Sequence, residues 1–286
     1  MAGAIDKRVQ RFLVALGLAI FAWSFVVLIH VQSSATARLI PKPHPLPPSL
    51  AHWQDATKSG DYFSQVRPTE VGYLVWSQFP VRVYIEQSEA DSGVTVAQRW
   101  VRAVLEAVQE WAVYIPLEVV EQQEKADINI LRSAPPLRAS PTRNIPRVRS
   151  AETRYELYIS NTSTTTRVLS HYCTILLSPS QTSQYVKAAA RHEIGHALGI
   201  WGHSPVASDA LYFSQVRNPP PISPRDLNTL KRVYEQPTRL GWPVAPFAPE
   251  RATRVPLALY PNPPLLQNLR IESFQMGNVA AERIAL

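Results

Sequence analysis

Residues 192–204 read His-Glu-Ile-Gly-His-Ala-Leu-Gly-Ile-Trp-Gly-His-Ser. If the segment is helical, His192 and His196 stand four residues apart and project from one face about a turn apart. Two imidazoles at that spacing suit one Zn2+, whose nitrogen ligands lie at about 2.0–2.1 Å. Glu193 then sits beside the first ligand, where its carboxylate reaches a water at the metal without entering the ligand set. Gly199 lets the chain turn back, so that His203 supplies a third nitrogen. Three protein ligands and an open fourth position are the layout of a catalytic zinc site, and the chemistry is hydrolysis. The metal acidifies a water and polarises a carbonyl, and Glu193 carries the proton from that water to the leaving amine. His30, His44, His52 and His171 have no such company and read as ordinary residues.

The elements that must hold these residues follow from periodicity. Val81–Glu86 alternates apolar and polar residues as a half-buried strand does. Thr95 and Gln98 form a capping box, and Val101, Val104, Leu105, Val108, Trp111 and Ile115 recur at helical spacing up to Pro116. Leu117–Val120, Ala126–Leu131, Tyr155–Ile159 and Thr174–Leu177 read as short strands. A second long helix starts near Thr182 or Ser183 and carries His192 to about Leu198, ended by Gly199. A third runs from Arg225 to Tyr234, with Ser223 as its cap and Pro224 at its first position. The order implies an α+β domain, a mixed sheet with two long helices and a closing C-terminal helix, over residues 78–237.

The chain here resembles the metzincin zinc peptidases, and among them the matrixins. The resemblance rests on residues 192–204, on Ser204 after the third histidine, on Ala126–Ile130 and on Ile222–Tyr234. It implies a twisted five-stranded sheet above an active-site cleft, a small lower subdomain, and endopeptidase activity on protein or peptide substrates. One catalytic Zn2+ is implied, held by His192, His196 and His203. A structural Ca2+ is compatible with the family, but no residue pattern marks one. The family places two residues between the glycine and the third histidine; here there are three, Ile200, Trp201 and Gly202. Asp209 is therefore the alternative third ligand. The methionine expected beneath the metal is absent, and Tyr212 stands in its place as a packing floor. No cysteine precedes the domain to serve as a latch.

Composition bounds the rest. Cys173 is the only cysteine, which excludes an intrachain disulfide and a cysteine zinc site and reads as a small buried residue. The net charge of +7 gathers partly in Arg138, Arg143, Arg147, Arg149 and Arg154, within a Pro-rich stretch lacking interleaved aromatics. That favours a solvated basic loop over nucleic-acid binding. Prolines at Pro41–Pro48, Pro135–Pro146 and Pro219–Pro224 argue against regular structure there.

Phe12–Ile29 is an apolar run broken only by Ser24, about 27 Å long as a helix. Lys7, Arg8 and Arg11 before it orient the N-terminus to the cytoplasm. The expected organisation is a basic N-terminus (1–11), a transmembrane anchor or signal segment (12–31), a Pro-rich extension (32–77) in which Pro41–Pro48 is a stiff spacer, the catalytic domain (78–237), and a Pro-rich tail (238–286). The domain would be exported, either anchored through residues 12–31 or secreted after cleavage at Ala35-Thr36-Ala37. Oligomeric state is left open by the sequence.

Tyr-Phe-Ser-Gln-Val-Arg occurs twice, at 62–67 and 212–217, without a longer repeat. Three other readings stay open at this point. One is an inactive zinc-binding relative whose cleft is clamped by Leu50–Trp76 and the tail. Another is a zinc hydrolase that does not act on peptides. The third is a gluzincin, for which no helix at suitable spacing offers a downstream glutamate, since Glu235 follows the last helix.

Overall fold

The computed structural model describes residues 41–87, 95–140, 143–147, 149–161, 166–244 and 272–275. The segment expected to cross or enter a membrane, 12–31, lies outside them. Among the described residues no helix is long and apolar enough to cross a membrane.

The domain is mixed α+β. Strand β1 (Val81–Ile85) buries Val81, Val83 and Ile85 on one face, as its alternation dictates. Helix α1 (Pro48–His52) precedes it. Helix α2 (Val96–Ala112) begins at the expected capping box, with Thr95 and Gln98 each accepting the other's backbone N–H. Its apolar stripe buries Trp100, Val104, Val108 and Trp111. Strands β2 (Leu117–Val120) and β3 (Ile128–Leu131) both pair parallel to β1. Strands β6 (Ala151–Asn161) and β7 (Arg167–Leu177) form a long antiparallel pair, and β7 runs parallel to β3. In the order β2-β1-β3-β7-β6 the first four strands run parallel and β6 runs antiparallel to β7. A short strand, β8 (Glu272–Gln275), pairs antiparallel outside β6.

Helix α3 (Ser183–Ala197) lies on the same side of the sheet as α2. Ala189, Ala190 and Gly195 are small enough for both neighbours to come close, so α3 is buried from Ala189 to its end. The indole of Trp111 on α2 donates to the Arg191 carbonyl at 2.8 Å. Arg191 in turn forks onto Glu110 at 2.5 and 3.0 Å, locking the two helices. Helix α4 (Pro224–Tyr234) closes the domain, with Ser223 and Asp226 as its capping box.

Four expectations need correction. Strands β6 and β7 each span eleven residues, not four or five. Within β6, Glu152 is fully buried and paired with Arg149 and Arg154 at 3.0 Å. Those two arginines therefore do not belong to a merely solvated loop. The Pro-rich stretch is also more regular than expected: β4 (Arg138–Ser140) and β5 (Arg143–Arg147) form a small antiparallel ribbon. Pro146 is tolerated there because a two-stranded ribbon consists of edges. Finally, Pro41–Pro48 does not stand apart as a spacer. Lys42 exchanges backbone bonds with Thr238 at 3.0 and 3.1 Å, and His44 bonds the Leu240 carbonyl and stacks on Trp242. Leu50, Leu74 and Val75 enter the main core.

Candidate metal centre

Helix α3 projects His192 and His196 from one face, one turn apart, and carries Glu193 next to the first of them. The turn that follows adds His203. Gly199 adopts φ +126°, and a Cβ there would meet the Leu74 carbonyl oxygen at 2.5 Å, so only glycine fits. Trp201 in the following loop is buried, its ring packed edge-on to Tyr155. His203 comes back over α3, with its ring centroid 5.2 Å from His192 and 4.9 Å from His196. One ligand atom from each of the three histidines lies within 4.8 Å of the others, a group that could hold a metal ion.

Hydrogen bonding orients two of the rings. His192 Nδ1 lies 2.8 Å from the Ala210 carbonyl and His196 Nδ1 lies 2.6 Å from the Ile200 carbonyl. A carbonyl oxygen only accepts, so each Nδ1 carries the proton and each Nε2 presents a lone pair. Those Nε2 atoms face each other at 3.0 Å. Two lone pairs at that distance repel, and a cation between them removes the conflict. Burial keeps all three imidazoles neutral: the pKa of His192 is pushed down to about 4, that of His203 to about 3, and that of His196 well below the usual value. Neutral imidazole is the form that ligates metals.

Glu193 is fully buried beside them. Its Oε2 accepts the Thr153 hydroxyl at 2.6 Å, while its Oε1 has no hydrogen-bond partner. Burial raises its carboxyl to about 8 in the metal-free protein. An orphaned carboxyl oxygen in a buried polar site calls for a hydrogen-bond partner such as water. Three convergent neutral imidazoles and a buried carboxylate thus fit a metal ion with a water beside it. A small open cleft, of about 40 Å3, lies next to His192, lined by Tyr185, Ala189, Tyr212, Val216 and Pro220.

Asp209, the alternative third ligand, is not part of this group. It is buried and accepts bonds from Ser204 Oγ, Ser223 Oγ at 2.7 Å and Arg225 Nε at 3.0 Å, so it knits loop to helix α4. Glu235 is exposed at the end of α4. Tyr212 is only partly buried and lines the cleft; the fully buried residue of its turn is Leu211, which packs against Gly195 of α3. His44 and His52 bond backbone carbonyls elsewhere, and His171 is buried against Trp76.

Sequence reasoning missed Thr153, the Ala210 carbonyl and Asp226. Thr153 lay two residues before the expected strand, and a correct β6 would have placed it opposite the helix. Asp226 stood in plain view as the partner of a Ser-Pro-Arg-Asp capping box, but nothing marked its link to the site. Compared with known proteins, the chain matches no family model and no curated protein.

Proposed function

We propose that the chain is a zinc-dependent endopeptidase of the metzincin type, matrixin-like in its details. The observation that carries this reading is one cluster: three neutral histidines converging beside a buried glutamate with an unpartnered oxygen. Further support comes from the strand order with an antiparallel strand beside the catalytic helix, and from the glycine turn that returns His203. His192, His196 and His203 would hold the ion. Zinc bound there would supply Lewis-acid polarisation of the scissile carbonyl and acidification of a water.

The chain's own residues do the remainder. Glu193 Oε1 accepts the proton of the attacking water, and the same carboxyl later gives it to the leaving amine. Thr153 holds the other carboxylate oxygen, so Oε1 keeps its aim during transfer. Ala210 and Ile200, through their carbonyls, fix the planes of His192 and His196. The cleft beside His192 receives a substrate side chain against largely apolar walls. Export, through residues 12–31, would place this site on the non-cytoplasmic side.

The test is metal-dependent cleavage of unfolded casein by the full chain in mild detergent. Activity should vanish with 1,10-phenanthroline and return when zinc is added. Tight metal binding without turnover of casein would instead favour the inactive, protein-binding reading. Turnover of small esters or amides alone would favour a non-peptidase hydrolase.

A further inference from the structure

The hexapeptide that occurs twice has two different placements. The downstream copy supplies Tyr212, Ser214, Gln215 and Val216 to the cleft wall beside His192. The upstream copy, Tyr62–Arg67, lies behind the site and touches both loops that orient the histidines. Arg67 N–H donates to the Trp201 carbonyl at 3.1 Å. Gly202, next to His203, packs so closely on this segment that a Cβ would lie 2.3 Å from the Gln65 carbonyl oxygen and 2.9 Å from Val66 Cα.

The second connection runs through helix α4. The Tyr62 hydroxyl donates to Asp226 Oδ1 at 2.6 Å in a buried pair. Asp226 also accepts the backbone N–H groups of Ala210 at 2.8 Å, Leu211 at 3.3 Å and Ser223 at 2.8 Å. The Ala210 carbonyl is the group that orients His192. Tyr62 is itself 2% exposed, with its N–H bonded to Thr229 Oγ1 and the Arg225 guanidinium over its ring. This arrangement is too well satisfied to be an incidental wrap of the extension.

We infer that Tyr62–Arg67 is a positioning element of the metal centre, setting His203 through the Trp201–Gly202 backbone and His192 through Asp226 and Ala210. The inference rests on the metal-centre reading above. It makes the segment before the first strand part of the working unit, since a protein lacking residues 62–67 would lose the support of two ligands at once. It also explains how the loop tolerates an additional residue: the extra length is seated on the upstream hexapeptide.

The test compares three variants of the full chain. Tyr62→Phe removes one hydroxyl, and Gly202→Ala forces the loop away from Gln65. Asn228→Ala is the control. Its side chain bonds Trp53, Asp55 and Gly60 of the same extension but reaches neither histidine loop. Each is measured for Zn2+ affinity by chelator competition, for the visible spectrum of its Co2+ form, and for the melting temperature of the metal-free protein. Tyr62→Phe and Gly202→Ala should each weaken zinc binding about tenfold or more and alter the Co2+ bands, as loss of outer-shell support does. Asn228→Ala should lower the melting temperature while leaving zinc affinity within about twofold. Should Gly202→Ala fail to fold, Tyr62→Phe alone decides. Unchanged affinity and spectrum in Tyr62→Phe, or an equal loss in Asn228→Ala, would overturn the inference while leaving the metal centre intact. Failure of the unaltered chain to bind zinc would overturn the metal centre itself, and this inference with it.

Discussion

Replacing Thr153 with valine keeps the shape of a buried β6 side chain and removes one hydroxyl. That hydroxyl is bonded to Glu193 Oε2 at 2.6 Å and lies 3.1 Å from the Glu193 carbonyl. Both residues are fully buried, so no solvent replaces the lost donor. A hydrogen bond to a charged buried group contributes about 1.5–3 kcal/mol. If that energy holds the base in its working position, its loss costs about ten- to a hundredfold in kcat/KM. The assay is steady-state cleavage of a quenched fluorescent peptide, with zinc affinity measured on the same samples. The Thr153 hydroxyl is spent on Glu193, so affinity should stay within about twofold. A Thr153→Val protein with full activity would show that Glu193 needs no such partner. A protein that lost zinc instead of rate would show that Thr153 supports the ligands and not the base.

Two further expectations concern stability. Gly199→Ala places a side chain at φ +126° against the Leu74 carbonyl and should destabilise the fold by about 2 kcal/mol or more, read from urea unfolding; a loss under about 0.5 kcal/mol would refute the tightness of that turn. His171 is pushed by burial from 6.5 down to about 3, against a slight upward pull from Asp127, and it stacks on Trp76 at 3.9 Å. Between those values the unfolded chain binds a proton that the folded chain refuses, so stability falls as pH drops from about 6.5 toward 3. His171→Phe should flatten that part of the unfolding free energy against pH, and parallel curves for the two proteins would refute the assignment.

The site was legible because helical geometry is local. His192, Glu193 and His196 fall within five consecutive residues of α3, and the glycine that returns His203 announces itself by its type. Helices α2 and α4 carried their capping boxes in their sequences for the same reason. What was not legible depends on distant pairing. β6 begins at Ala151 and not at Tyr155, and its Glu152 is a buried salt-bridged glutamate that looks, residue by residue, like a surface one. The role of Asp226 needs Tyr62, 164 positions away, and Ala210 to be seen together. Proline content misled in the Pro41–Pro48 segment, since proline excludes helix and central strand but not packing against a core. Asp209 spends its carboxylate on Ser204, Ser223 and Arg225 and stands outside the histidine cluster, which no spacing argument reveals.

The most direct test of the central claim is the digestion of unfolded casein by the zinc-loaded full chain beside its Glu193→Ala variant. The account predicts cleavage by the first and none by the second, with zinc bound equally to both. Equal cleavage by the two proteins would contradict the role of Glu193, and no cleavage by a zinc-saturated unaltered chain would contradict the peptidase reading.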